Sequence, residues 1–321
     1  MKKTILLLMV LPLILMISYC GSGSKVTFVE KENQIDVMMK GQLFTSYLYK
    51  PELTKPILYP VLSSSGIKVN RGFPFEKVEG ENEDHPHHTG IFFTYDEVNQ
   101  DGFWNNTTFP PQIKHVKVTK MESGKEKGTL STVMHWVGKS GKTLLVENRT
   151  MVFYPGKDSY KIDFTMTLTA KDTTVVFQDT KEGMFAIRVA HWLREKNKDG
   201  TAMYISSNGD EFEKNVWGKR AKWMRLEGEK DGKIVGITIL NHPTSINYPS
   251  FWHARGYGLF AMNPLGQYAF ESRKKVENPQ KFNLTLQQGE SAVFKFRMVI
   301  YEGKKVKEDC DKEFDDYSNT N

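Results

Sequence analysis

Cysteine is nearly missing from this sequence, with two in 321 residues. One of them, Cys20, ends an apolar leader, and the other, Cys310, stands near the C-terminus. No disulfide framework and no cysteine-based metal site follows from such a pair, so a large apolar core has to hold the fold. Long apolar runs are also missing beyond the leader. No later segment approaches the ~20 apolar residues that span a hydrocarbon core, which excludes transmembrane helices from the mature part. Charge of one sign is not in marked excess: 44 Lys and Arg face 38 Asp and Glu, for a net +6. These charges are interspersed, so no basic stripe is offered to nucleic acid. A phosphate loop, a dinucleotide fingerprint, a Gly-x-Ser-x-Gly elbow and a His-Glu-x-x-His helix are all absent, and the mechanisms that need them go too.

The N-terminus is what an exported chain carries. Lys2 and Lys3 precede an apolar run from Ile5 to Ile17, broken only by Pro12, and Ser18-Tyr19-Cys20 follows. This order is that of a secretory signal. Ile17-Ser18-Tyr19-Cys20 resembles a lipobox, in which Cys20 takes a lipid anchor, although Tyr19 stands where Gly, Ala or Ser is usual. The expected organisation is a lipoprotein-type signal peptide over 1–20, a linker over 21–25, one β-sandwich domain over 26–302 and a polar tail of low order over 303–321. The expected location is periplasmic or at the cell surface, held to a membrane through Cys20.

Period-2 alternation dominates the remainder. Tyr160, Ile162, Phe164, Met166 and Leu168 share one strand face; Phe294, Phe296, Met298 and Ile300 share another, and Ile35, Val37 and Met39 a third. Half-buried strands of antiparallel sheets read this way. Turn signals at Ser140-Gly141, Pro155 to Asp158, Asn208 to Asp210 and Asp231-Gly232 separate them. No amphipathic helical window exceeds about three turns. The fold class is therefore all-β, a large antiparallel β-sandwich.

Three stretches break the alternation with residues a β scaffold does not need. In Asp84-His85-Pro86-His87-His88-Thr89-Gly90, three of the eight histidines fall within four positions. On an extended backbone His85 and His87 would share a side and His88 would face away. Imidazoles suit general acid–base work near neutral pH, and a divalent metal at His85 and His87 is the alternative use. A second stretch offers Glu182 just before a strand-like run, with Arg188 placed to meet it or a bound anion. A third gathers His242, Trp252, His253, Arg255 and Asn263 in irregular chain. Aromatic faces stack on pyranose rings, and Arg and Asn read hydroxyls or a carboxylate. Trp104, beside Asn105-Asn106, is placed in the same cleft, and Trp217 to Arg220 with Trp223 form a basic aromatic edge. His115, His135 and His191 read as structural residues of alternating strands.

Asp84 to Gly90 with Phe103-Trp104, together with Lys181-Glu182-Gly183, Trp217-Gly218, Asn241-His242-Pro243, Trp252, Arg255 to Gly258 and Asn263-Pro264, resembles the pattern of an uncharacterised bacterial family sometimes labelled methane oxygenase PmoA-like. The resemblance spans roughly residues 30 to 300, and Thr89 departs from it, since many members carry arginine there. It implies a β-sandwich similar to the galactose-mutarotase-like supersandwich and an association with carbohydrate breakdown.

Together these readings give an exported carbohydrate-active enzyme working by acid–base chemistry as a hydrolase, lyase or epimerase. Its expected catalytic residues are His85, His87, His88, Glu182, His242 and His253, and Trp104, Arg188, Trp252, Arg255 and Asn263 are expected to bind substrate. No cofactor is required. Two other readings stay open: a non-catalytic glycan-binding lipoprotein, and a His-ligated metalloprotein or oxidoreductase.

Overall fold

The computed structural model describes residues 25–197 and 200–320. The signal peptide, Cys20 and all of the linker but Lys25 therefore lie outside the described residues. Two eight-stranded antiparallel sheets form the body. The first runs, in spatial order, Val26–Lys31, Gln34–Met39, Gln42–Leu48, Ile57–Val61, Ile91–Tyr95, Gly183–Arg188, Leu259–Asn263 and Phe251–Ala254. The second runs Met203–Ser206, Trp223–Lys230, Lys233–Asn241, Ser291–Glu302, Ser159–Ala170, Thr143–Pro155, Gly128–Val137 and Gln112–Glu122. A two-stranded ribbon of Val175–Phe177 and Leu284–Leu286 stands beside them.

Alternation places the core. Along Ser159–Ala170 every second residue from Tyr160 is buried, and the partners across the sandwich meet as aromatic pairs. Phe185 stacks on Phe296 at 4.8 Å, and Phe93 meets Trp136 edge-on at 6.2 Å. The four turn signals fall between strands, as the sequence predicts. His115 ends in a contact with the Tyr47 hydroxyl (3.0 Å), while His191 opens a 3-10 turn and not a strand.

Four neighbouring strands of the first sheet do not alternate. Ile91–Tyr95, Gly183–Arg188, Leu259–Asn263 and Phe251–Ala254 are buried at every position. A strand buried on both faces needs a second cover besides the facing sheet, and here chain segments roof the outer face of the first sheet. That roof is where the site lies.

The described part of the expected 303–321 tail, residues 303–320, is not loose. Lys307–Ser318 forms an α-helix whose Cys310, Glu313, Phe314 and Tyr317 are buried. Their spacing of three, one and three is a helical face, which packs on Trp223, Leu240, Val299 and Tyr301. Dense charge around that face hid it in the sequence, and Lys305 and Lys161 answer Glu313 at 2.7 and 3.1 Å. Among the described residues no helix is long and apolar enough to cross a membrane.

Candidate active site

Four neighbouring strands of the first sheet build the floor. Register pairs Phe92 with Ala186, Ala186 with Ala261 and Ala261 with His253, so these four side chains form one cross-strand row on the outer face. The two alanines keep the middle of the row low between Phe92 and His253. Residue by residue the face alternates, and Trp252 therefore points inward. It is fully buried in the sandwich core, with its indole N–H donating to the Ala221 carbonyl at 3.1 Å. Trp252 is not a substrate platform.

The histidine block forms the roof. Its chain turns back on itself where an extended strand was expected: the His88 N–H donates to the His85 carbonyl at 2.9 Å, and His85 sits at φ +46°. Histidine tolerates that left-handed region better than most residues. Arg71, 3% exposed, pins the turn by donating to the carbonyls of Asn82, Asp84, His85 and His88 at 2.7–3.1 Å. Gly90 then brings the chain onto its strand at φ +54°, where a Cβ would lie 2.2 Å from the Leu58 carbonyl oxygen. The turn inverts the predicted pairing of faces. The rings of His85 and His88 stack at 4.9 Å and 7°, whereas His87 opens to a different cavity, with Lys55, Phe75 and Asn106. His85 and His87 thus do not share a cavity, and among the described residues no three His, Cys, Asp or Glu side chains group to hold a metal ion.

The stack extends in both directions, with Tyr257 on His85 at 5.3 Å and Phe92 beneath His88 at 5.9 Å. Asp84 orients it. One carboxylate oxygen accepts from His85 Nδ1 at 2.9 Å, and the other accepts from Arg71 at 2.9 Å and Arg188 at 2.7 Å. Burial tends to raise the Asp84 pKa, but Arg188, His85 and Arg71 outweigh it and hold the carboxyl below its ordinary value. Arg188 is 1% exposed and lies 4.7 Å over the Tyr257 ring. It braces Asp84 from below and does not meet Glu182, whose partner is Lys181.

His85, His88, Asn105, Lys181, Glu182, His253, Arg255 and Tyr257 line one cleft of about 240 Å³. All three stretches singled out in the sequence therefore contribute to one cavity. His253 Nδ1 lies 3.0 Å from the Lys181 carbonyl and so carries its proton there, which leaves Nε2 as the unprotonated ring nitrogen. Burial, with Lys181 and Arg255 nearby, takes its pKa down to about 3. His88 is also held well below the ordinary value, by burial and then by His87 and Arg188. Its Nδ1 lies 3.4 Å from Arg188, and its buried Nε2 has no partner. Arg255 and Tyr257 come from the tight hairpin turn that Gly258, at φ +104°, closes by donating to the Arg255 carbonyl at 2.8 Å.

Other expectations fail here for stated reasons. His242 lies away from the cleft, against Tyr317 of the C-terminal helix (4.9 Å), with its nitrogens at 2.8 Å from the Thr244 hydroxyl and 3.1 Å from the Thr320 carbonyl. Trp104 is fully buried under His88 and Phe92, and only its neighbour Asn105 reaches the cleft. Asn263 is fully buried too, and its amide donates to the Thr180 carbonyl at 2.8 Å, so it positions the Lys181-Glu182 loop. Trp223 belongs to the core under the C-terminal helix. Asp84, Arg71, Lys181 and Tyr257 were missed as site residues. Asp84, Lys181 and Tyr257 had a signal, since each lies inside one of the three stretches, whereas Arg71 had none.

Stability should carry the mark of these neutral imidazoles. A folded-state pKa near 3 for His253 and His87, against an ordinary 6.5, means that the unfolded chain binds more protons between those values. Stability is then full above pH 6.5 and falls as pH drops toward 3. Asp84 titrates below its ordinary 3.8, so it contributes nothing to that slope between pH 7 and 5. Urea midpoints should be lower at pH 5 than at pH 7. Replacing His253 with Gln should reduce the difference, and equal midpoints for the parent protein would show that these rings are open to water.

With this geometry in place, the comparisons give a family. A model of a family of unknown function, DUF6807, matches residues 34–315. The chain belongs to that family. No curated protein matches this sequence. Among solved structures, the DUF6807 chain is similar to a galactose mutarotase-like protein from Clostridium acetobutylicum, at 10% identity and a TM-score of 0.43, over 88% of this chain and 99% of that one. A putative aldose 1-epimerase from Klebsiella pneumoniae subsp. pneumoniae matches at 10% identity and 0.41, over 91% and 87%. A GH36 α-galactosidase from Geobacillus stearothermophilus matches at 10% and 0.39, over 88% of this chain and 41% of that one. None of these matches carries the methane-oxygenase label.

Proposed function

We propose that the chain is an exported enzyme that moves protons on a sugar bound in the His85–His253 cleft, by epimerisation, mutarotation or β-elimination. The observation that carries this reading is the Asp84–His85 dyad, which shares a cavity with a second histidine, a Lys–Glu pair and an arginine. Asp84 fixes the proton on His85 Nδ1 and leaves Nε2 as a base, the arrangement that general acid–base catalysis uses. His253 Nε2 accepts from a sugar hydroxyl. The His88 ring, stacked between His85 and Phe92, holds the His85 ring in place, and Arg255 meets developing or fixed negative charge. Glycoside hydrolysis by the usual route needs two carboxylates flanking the bond. Here Glu182 is the one carboxylate lining the cleft, because Asp84 is committed to two arginines and a histidine. That favours imidazole proton transfer over hydrolysis.

The signal sequence and Cys20 support an exported, lipid-anchored chain. Labelling of whole cells with a lipid precursor, with Cys20→Ser as the control, tests the anchor.

The activity test uses a panel of aldoses, uronates and oligosaccharides in deuterated water, read by NMR for anomer exchange, deuterium uptake at carbon and unsaturated products. Turnover of at least one sugar is expected. It should be lost in His253→Asn and kept in His242→Asn, which lies outside the cleft. Binding without turnover by the parent protein would replace this reading with that of a glycan-binding protein.

A further inference from the structure

A second cavity, of about 660 Å³, adjoins the cleft, and Arg255 lines both. We infer that this cavity is a second sugar subsite, which takes the neighbouring unit of a chain whose sugars carry an anionic group. The inference rests on the reading of the smaller cleft as a sugar site and extends it. A cavity of about 240 Å³ is below the ~300–1,000 Å³ usual for ligand pockets. It suits a single unit, with the rest of the ligand outside it.

Two aromatic residues equip the larger cavity. Trp217 is partly exposed, and two cations lie near its ring, the Arg255 guanidinium at 5.8 Å and Lys274 Nζ at 5.6 Å. Its indole N–H is buried without a partner. The other aromatic is Phe212, which is 41% exposed and held at φ +66°, ψ 152°. That backbone region is essentially reserved for glycine, and a bulky side chain persists there only where its surroundings enforce it. Phe212 donates to the Tyr204 carbonyl at 3.0 Å and accepts from Asn215 at 3.0 Å and Val216 at 3.1 Å, so the conformation is fixed on both sides. The fold therefore strains its backbone to hold an apolar ring in the solvent-facing wall of a cavity. Core packing gives no reason for that, and stacking on a sugar face does.

Charge selects the kind of sugar. Lys196, Lys214, Arg255 and Lys274 outnumber Glu195 and Glu213 around the cavity. Glu213 is already met by Lys196 at 2.7 Å and Arg255 at 2.9 Å. Lys214 and Lys274 have no carboxylate within salt-bridge distance among the described residues, so they remain for a carboxylate or sulfate on the ligand.

Calorimetry on the whole protein with galacturonic acid, trigalacturonate and maltotriose tests this. The parent protein should bind trigalacturonate at least tenfold tighter than either the single uronate or the neutral trisaccharide. Trp217→Ala should remove the advantage of length, and Lys274→Gln the advantage of charge. Phe212→Gly guards against misfolding as an explanation, because it relieves the strained backbone. It should melt at a higher temperature than the parent and still bind trigalacturonate several-fold more weakly. The subsite is overturned if trigalacturonate shows no advantage, or if all three variants keep it. Turnover of the single uronate by His85→Asn is read in parallel. Full turnover there, with Trp217-dependent binding intact, would remove the cleft chemistry and leave the subsite standing.

Discussion

Replacing His85 with Asn should cut turnover of a converted sugar by about 10²–10⁴-fold, the contribution typical of a positioned acid–base group. Affinity for the sugar should change far less. The effect follows from one hydrogen bond, the 2.9 Å contact of Asp84 with His85 Nδ1, which directs the lone pair of Nε2 outward. Asn is a fair substitute for the backbone, since it too accepts the left-handed conformation that His85 adopts at φ +46°. Loss of activity would then report lost chemistry and not a rearranged turn. Steady-state kinetics with a melting curve for each variant checks this; a His85→Asn protein with full turnover would remove the dyad from the mechanism.

The largest expected loss of stability lies away from the site. Glu147 is fully buried between the sheets, where it accepts from the Trp136 indole at 2.8 Å and from Arg149 Nε at 2.7 Å. Arg149 is itself 4% exposed and reaches over the Phe93 ring. Glu147→Ala strands a guanidinium and an indole N–H in the core, and removing one partner of a buried pair costs about 3–5 kcal/mol. Replacing both residues with apolar ones of similar volume, Glu147→Leu with Arg149→Met, should recover most of that loss, because no charge is then left behind. Urea unfolding measures both. A loss below about 1 kcal/mol in Glu147→Ala would mean that water reaches Arg149.

Period-2 patterns made the sandwich legible, because a strand with one face in the core writes its burial into alternate residues, as Tyr160 to Leu168 do. The same rule, applied one residue at a time, would have separated Trp252 from His253: neighbours on a strand cannot both face the cleft. The C-terminal helix was hidden because only Cys310, Phe314 and Tyr317 mark its apolar face, and the other nine residues of Lys307–Ser318 are charged or polar. In the site, the stretches themselves were visible as clusters of His, Arg and Glu. Their internal geometry was not. Reading His85 to His88 as extended gave the wrong ring pairing, since the turn depends on Arg71, a residue from another part of the chain that no local pattern points to. His242 carried the same motif value as His253, and only the docking of the helix shows that it serves packing.

The tautomer and charge of each histidine ring are the most direct test of the site as described. Long-range ¹⁵N–¹H correlation spectra across pH 7 to 4 should show His253 with its proton on Nδ1 and still neutral at pH 4, and His85 with its proton on Nδ1 toward Asp84. If His253 takes up a proton near the ordinary imidazole value, the buried cleft is wrong, and if His85 carries its neutral-form proton on Nε2, the oriented dyad is wrong.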